Sequence, residues 1–387
     1  MVKKIFQGDG KLWLVYFFLL SASLLSVFSA TESMAILYGS LSRYIFKHII
    51  MMFFGVFLVV IIHKIPYNIH YIFAFPMIII SVVLLILTLF VGVSVNNASR
   101  WLVIPGVGLT FQTSDLAKYA LINFLAARGF RIGNNIKNFK TLFYNMIVPT
   151  LLVVMFIMPA NLSTALILGV VAFAIMFIGG ARVKHLLLIA IVGIILGGAF
   201  IFTAPKFLPN TRVATWEKRI ESFFSDKENI TGEHYQLVQA KIAIATGGIL
   251  GKGTGNSTQK SVLPQPDTDF IYAIILEEYG LWGGFFIIFF YFLILLRLFA
   301  NFVKNKGKLT YRFYLQLGIT LMIVSQAFVN MGVAVGIFPV TGQPLPLVSM
   351  GGSSFLMTSI AFGILLSTTI EDNKNRKKIT ENYESNN

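Results

Sequence analysis

Ten runs of mostly apolar residues, separated by short polar stretches, set the pattern of this chain. They fall at Leu12–Ala30, Phe46–His63, Tyr71–Val91, Gln112–Ala127, Leu142–Met158, Leu162–Gly180, His185–Phe202, Asp269–Phe299, Tyr314–Phe338 and Ser353–Thr369. About 20 apolar residues in a helix, rising 1.5 Å each, match the hydrocarbon thickness of a bilayer. The pattern predicts an all-α polytopic membrane protein, with about ten transmembrane helices and one large outer loop. The fourth run is short for a span and the eighth is long. The first follows Lys3, Lys4 and Lys11 as a signal peptide would. Its length, and Phe28 where a cleavage site needs a small residue, read instead as an uncleaved anchor.

Composition agrees. The 387 residues are 56% hydrophobic and 12% charged, against about 25% charged in soluble domains. The absence of cysteine excludes disulfides, thiolate nucleophiles and cysteine metal sites. His48, His63, His70, His185 and His234 show no helical pairing, which argues against a histidine cage and leaves carboxylate binding of a hard cation open. With the N-terminus inside, most of the 31 lysines and arginines fall in cytoplasmic segments, and the short outer loops hold only Arg43, Lys47 and Arg100. Ten spans return the C-terminus to the cytoplasm, where Lys374, Arg376, Lys377 and Lys378 begin a polar tail. The net charge of +15 is therefore topological and calls for no nucleic-acid partner.

One membrane domain is expected over residues 1–370, with the outer loop at about 203–268 and a cytoplasmic tail at 371–387. The outer loop carries Trp216, Phe223, Phe224 and Tyr235. It reads either as a segment resting on the bilayer or as an outer-leaflet platform for a lipid-linked substrate.

Polar residues within this framework carry the candidate chemistry. Asp115 and Lys118, three apart in the fourth run, can pair on one helix face. They either lock helices together or place Lys118 in a polar cavity that holds an anionic headgroup. Arg100 and Trp101 offer a cation and an interfacial ring just before them. The stretch Gly247–Gly255, GGILGKGTG, lacks the spacing of a Walker loop. Its backbone N–H groups and Lys252 would contact a diphosphate, or it forms an interfacial turn. Thr268-Asp269 opens the eighth run behind Pro264 and Pro266, so Asp269 either caps that helix or does chemistry at its mouth. Glu277 and Glu278 lie about two turns deeper and are expected to pack against polar groups of neighbouring helices. Phe338–Ser354, with three prolines and three glycines, reads as irregular backbone lining a cavity.

Taken in order, these pieces resemble the SEDS family of cell-wall polymerases, the FtsW, RodA and SpoVE proteins. The resemblance runs through Asn97–Trp101 and Phe111–Lys118, then Tyr235-Gln236 with Gly247-Gly248 and Gly251–Gly253. It continues through Leu263-Pro264, Thr268–Phe270, Glu277-Glu278 and Gly280, and ends with Pro339–Gly342, Leu345-Pro346 and Ser349–Ser354. It implies a ten-helix fold that polymerises lipid II into glycan strands on the outer membrane face. The family's catalytic Asp falls on Asp269. Substrate contacts are implied for Arg100, Trp101, Gln112, Lys118, Lys252, Ser349 and Ser354, with a divalent cation such as Mg or Mn left open. A class B penicillin-binding protein (a transpeptidase) and other divisome proteins are the implied partners, lipid II and the growing strand the substrates. Overall likeness of the motifs favours a septal role over RodA-like elongation. A lipid II flippase using Asp115, Lys118, Glu277 and Glu278, and a scaffold for a transpeptidase, are the alternatives. The chain departs from the family pattern at Gln265, where Glu is common, at Asp267, where His is common, and at Met158–Thr164, which lacks an acid.

Overall fold

In the computed structural model, residues 6–38, 41–95, 98–103, 110–207, 216, 219 and 233–385 are described. Each of the ten apolar runs forms a helix. In chain order these are α1 (Gly10–Tyr38), α2 (Leu41–Ile62), a short α3 (Tyr67–Ile72) and α4 (Ala74–Val91). Then come α5 (Thr113–Ile132), α6 (Phe139–Ile157), α7 (Leu162–Ile178) and α8 (Val183–Phe207). The series ends with α9 (Glu233–Gly247), α10 (Ile271–Lys304), α11 (Tyr311–Ala334) and α12 (Gly352–Ser385).

Eight of these helices are long and apolar enough to cross a membrane, and α7 is a shorter apolar one. The fourth run, short on hydropathy, becomes the 20-residue α5. Its charges lower its mean hydropathy, and its burial among protein makes them affordable. Inside α6 a wider turn spans Phe143–Ile147 just before Pro149, which has no N–H to give the ladder.

Burial separates the centre from the rim. In α11, 78% of the apolar window is buried, against 6% in α8, so α11 is the axis and α8 faces lipid. Around α11 pack α5, α7, α10 and α12, while α2 lies along α12 and α1 along α10.

Three features depart from the sequence expectation. Between α4 and α5 the chain forms a small antiparallel sheet of β1 (Val93–Val95), β2 (Ala98–Val103) and β3 (Thr110–Gln112). The segment expected to lie outside contains a 15-residue helix, α9, which packs against α10 and buries Leu237, Ala240 and Ala243. And α10 is two helices joined at a break, with Gly280 at φ 65° and ψ −164°. The long eighth run is therefore a short helix, residues 271–279, followed by a full-length span.

A splint holds that break. Lys252 N and Gly253 N donate to Glu277 O and Glu278 O, both at 2.9 Å, and Leu281 N donates to Gly248 O at 3.1 Å. The glycine-rich loop thus supplies the donors that an unbroken helix would have provided. The backbones come so close that a Cβ at Gly251 would lie 2.2 Å from Glu278 O, and one at Gly280 2.2 Å from Ile249 O.

Candidate functional site

Asp269 lies in the turn before α10, half-buried, opposite residues 335–351, the second turn expected on the outer side (the second outer turn). A Cβ at Gly342 would stand 3.6 Å from its Oδ2, in ordinary contact, and the φ of +66° there favours glycine. The helical cap of α10 is Phe270 and makes no side-chain cap bond. Thus Asp269 is not the N-cap; it stands one residue ahead of it.

The backbone around Asp269 is stitched to the opposite wall. Met350 N donates to Asp267 O at 2.9 Å, Ser349 Oγ to Thr268 O at 2.6 Å, and Asn330 Nδ2 to Asp269 O at 2.9 Å. Asn330 Nδ2 also donates to Gln343 O at 2.7 Å, and Gln343 Nε2 reaches Asn161 Oδ1 and Thr164 Oγ1 on the α7 cap and first turn. Tyr291 donates to Pro346 O. The wall itself is strained at Leu347, a buried non-glycine residue with φ 65°. Such a conformation persists only where surrounding contacts over-determine it.

Lys118 supports this wall from below. It is 1% exposed, pairs with Asp115 at 2.9 Å, and donates to Gln326 Oε1 at 3.3 Å. Gln326 Nε2 in turn donates to Pro344 O at 3.4 Å. Of the two sequence readings of Lys118, a helix-locking ion pair and a headgroup cation, these contacts fit the ion pair. A charge at that depth would be costly alone, and Asp115 compensates it within one turn of α5.

The other expected residues divide. Trp101 pairs in register with Gln112 across β2 and β3, and Gln112 N donates to Ser353 Oγ at 3.3 Å. Both therefore sit at the start of α12 with the buried Ser354. Ser349 is 1% exposed and its hydroxyl is committed on both sides, accepting from Leu345 N and donating to Thr268 O. Arg100 lies on β2, and its side chain is outside the described residues.

Lys252 stands apart. Its ammonium pairs with Glu277 Oε1 at 2.6 Å and donates to Thr258 Oγ1 at 3.0 Å. Its backbone N–H and that of Gly253, weighed as a diphosphate cradle, are spent on the helix break. Glu277 is fully buried and meets the neighbouring helix α9 through Thr246 Oγ1 at 3.4 Å, as expected, and it also binds this loop through Ser257 Oγ, Thr258 N, Thr258 Oγ1 and Gln259 N. Glu278 meets the expectation through Ser29 of α1, and also accepts from Ser257 N.

Beside Asp267 lies a cavity of about 210 Å³ lined by Tyr44, Lys47, His48, Met51, Met350, Gly351, Gly352 and Phe355. It sits between the start of α2 and the second outer turn, with Lys47 as its cation. Tyr44 donates its hydroxyl to Asp267 Oδ2 at 2.5 Å. Burial pushes the Asp267 carboxyl above its ordinary range, and the Tyr44 bond partly offsets this. Among the described residues no three or more His, Asp or Glu side chains gather as a metal cage.

Lys47, Gln326, Asn330 and Gln343 were not singled out in the sequence as site residues. A signal existed for two of them: Gln326 and Asn330, four apart, put two amides on one face of a mostly apolar helix.

The sequence comparisons bear on the same segments. A model of the FtsW/RodA/SpoVE family, described as cell cycle proteins, matches residues 10–374. A probable peptidoglycan glycosyltransferase FtsW of Trichlorobacter lovleyi is 31% identical over 368 residues, covering 94% of this chain and 93% of that protein. A protein of the same description from Nitrosococcus halophilus is 32% identical over 303 residues, 76% of this chain and 74% of the other. Among solved structures, a chain from work on the structural coordination of polymerization and crosslinking by a peptidoglycan synthase complex is 26% identical. It superposes with a TM-score of 0.75, covering 94% of this chain and 98% of that one. Thermus thermophilus rod shape determining protein RodA, 24% identical with a TM-score of 0.65, shares the fold. With the family model spanning the whole helical bundle and the rim around Asp269, the chain belongs to the FtsW/RodA/SpoVE family of cell cycle proteins.

Proposed function

We propose that this protein is a peptidoglycan glycosyltransferase that polymerises lipid II at the outer face of the cytoplasmic membrane, with Asp269 as its general base. The observation that carries the reading is the half-buried Asp269 carboxylate, held at the helix mouth by a backbone clamped to a second, proline-rich wall. Relatives described as probable peptidoglycan glycosyltransferases support the activity class. In the reaction, the acceptor GlcNAc 4-hydroxyl attacks C1 of the lipid-linked strand. The new O–C1 bond forms as the bond from C1 to the diphosphate oxygen breaks, and the hydroxyl proton passes to Asp269. Inversion at C1 follows from that in-line attack. Proximity and orientation in a confined site supply most of what a weak carboxylate base cannot.

Lys47, on the wall of the adjoining cavity, is the cation best placed to face the departing diphosphate. Trp101, Gln112 and Ser354 belong to the rim around the start of α12, where substrate contacts are assigned to them, together with Arg100 on β2. Lys118, Ser349 and Lys252 are assigned to support the walls. The exposed aromatic and aliphatic faces of α2, α4 and α8 suit contact with lipid and the polyprenyl tails.

The reading extends to topology and partners. Residues 1–370 form the membrane domain, residues 371–387 are a cytoplasmic extension, and both termini face the cytoplasm. A class B penicillin-binding protein and other divisome proteins are the proposed partners at the septum. The match to a chain of a peptidoglycan synthase complex supports the first of these. Translocation of lipid II is less well supported, because Lys118 is enclosed and spent on Asp115 and Gln326. The test is Asp269→Ala in polymerisation of lipid II. Loss of at least ~100-fold is expected from removing a general base; wild-type rates in a folded variant would end the proposal.

A further inference from the structure

Three consecutive carbonyls, those of Asp267, Thr268 and Asp269, each accept a hydrogen bond from beyond their own segment. The donors come from two elements: the second outer turn gives Met350 N and Ser349 Oγ, and α11 gives Asn330 Nδ2. Two of these donors also bind the second outer turn. Ser349 Oγ accepts from Leu345 N at 2.7 Å, and Asn330 Nδ2 donates to Gln343 O at 2.7 Å.

We propose that Asn330 is a positioning residue that fixes where the Asp269 carboxylate stands, with Ser349 as its counterpart one residue earlier in the rim. This rests on the reading of Asp269 as the base. Asn330 is 1% exposed, and α11 is the most enclosed helix of the bundle. Both of its partners are carbonyl oxygens, which only the NH2 end of the amide can serve, so its orientation is forced. Its Oδ1 is buried without a partner. The side chain therefore turns its donor end wholly to the two rim segments, and one nitrogen sets the spacing between Asp269 and residue 343. Residue 343 follows Gly342, which stands beside Asp269 Oδ2, so that spacing bounds the candidate site. A shift of about 1 Å in a reacting group costs as much as 100-fold in rate, so loss of this strut reaches chemistry without touching substrate.

The inference predicts a split in kinetic constants. Full-length Asn330→Leu, Ser349→Ala and Asp269→Asn variants are compared with wild type in polymerisation of purified lipid II in detergent, with the partner transpeptidase present. Lipid II binding and thermal stability are measured on the same preparations. For Asn330→Leu, kcat falls by about 10- to 100-fold, while KM and lipid II affinity stay within about twofold. Ser349→Ala, a small truncation that removes the Thr268 bond, shows a milder fall of the same kind. It carries the test should Asn330→Leu not fold. Wild-type kcat in both positioning variants, or a loss confined to KM, overturns the inference. Those results with Asp269→Asn inactive leave the base in place and remove only its strut. An active Asp269→Asn variant removes the base itself, and the positioning role with it.

Discussion

At the scale of single residues, two neighbouring acids do different work. Asp269 is half-buried beside Gly342, whereas Asp267 is 2% exposed and bonded to Tyr44. Burial raises the Asp267 carboxyl above 3.8, its ordinary value, so the folded state holds that proton more tightly than the unfolded chain. The stability this gives is complete below pH 3.8 and is lost as pH rises through the folded value. Asp267→Asn, which stays neutral, is thus expected to raise the thermal midpoint at pH 8. The gain should shrink on acidification and vanish near pH 3.8; a gain that does not vary with pH would contradict this account. Gly342 belongs to the same scale. Its φ of +66° is a conformation that L side chains rarely adopt, so Gly342→Ala strains the wall beside Asp269 and is expected to lose polymerisation with lipid II binding retained.

At the scale of elements, the break in α10 and the loop that splints it form one unit. Glu277 joins them through one ion pair and four further donors from residues 257–259. Truncation as Glu277→Ala strands those donors, at a cost of about 3 kcal/mol, typical of breaking a buried pair. Lys252→Met should cost far less, since Lys252 is 27% exposed and the carboxylate keeps its other donors. Equal shifts in thermal midpoint would show that the pair, and not the hub, holds the loop. Glycines sharpen the contrast. Gly248 and Gly251 both have positive φ, yet a Cβ at Gly248 meets nothing within 4 Å while one at Gly251 meets Glu278 O at 2.2 Å. Gly248→Ala should cost about 1 kcal/mol of stability in backbone strain, and Gly251→Ala clearly more. This unit was hidden in the sequence. The run stays apolar on average despite Glu277 and Glu278 just before Gly280, and hydropathy does not register a φ of 65°. The three-stranded sheet was hidden for a related reason: strands of three to six residues are too short for alternation to stand out.

At the scale of the whole molecule, the ten apolar runs each became a helix because length and apolarity alone decide a span. Which helix is central was only faintly legible: α11 is the less apolar of the two and carries Gln316, Gln326 and Asn330, but both pass as spans on length and hydropathy. The site was legible in part. Asp269 and the 338–354 wall stand out as polar or irregular chain at a membrane boundary. Whether Lys118 or Ser349 faces a ligand or a protein atom depends on tertiary contacts, and both turned inward. The enclosed pair suggests its own check. Lys118→Met alone should be strongly destabilising, because Asp115 is left buried and unpaired, whereas Lys118→Met with Asp115→Leu should recover much of the loss. Recovery of stability without recovery of polymerisation would return Lys118 to the substrate.

The most direct test of the account is glycan-strand formation from purified lipid II in detergent with the partner transpeptidase present, comparing wild type with Asp269→Ala. Polymer from the wild type and none from a folded Asp269→Ala protein is the predicted result. Polymer from both would place the base elsewhere. Polymer from neither, with an active partner and a folded chain, would contradict the polymerase reading itself.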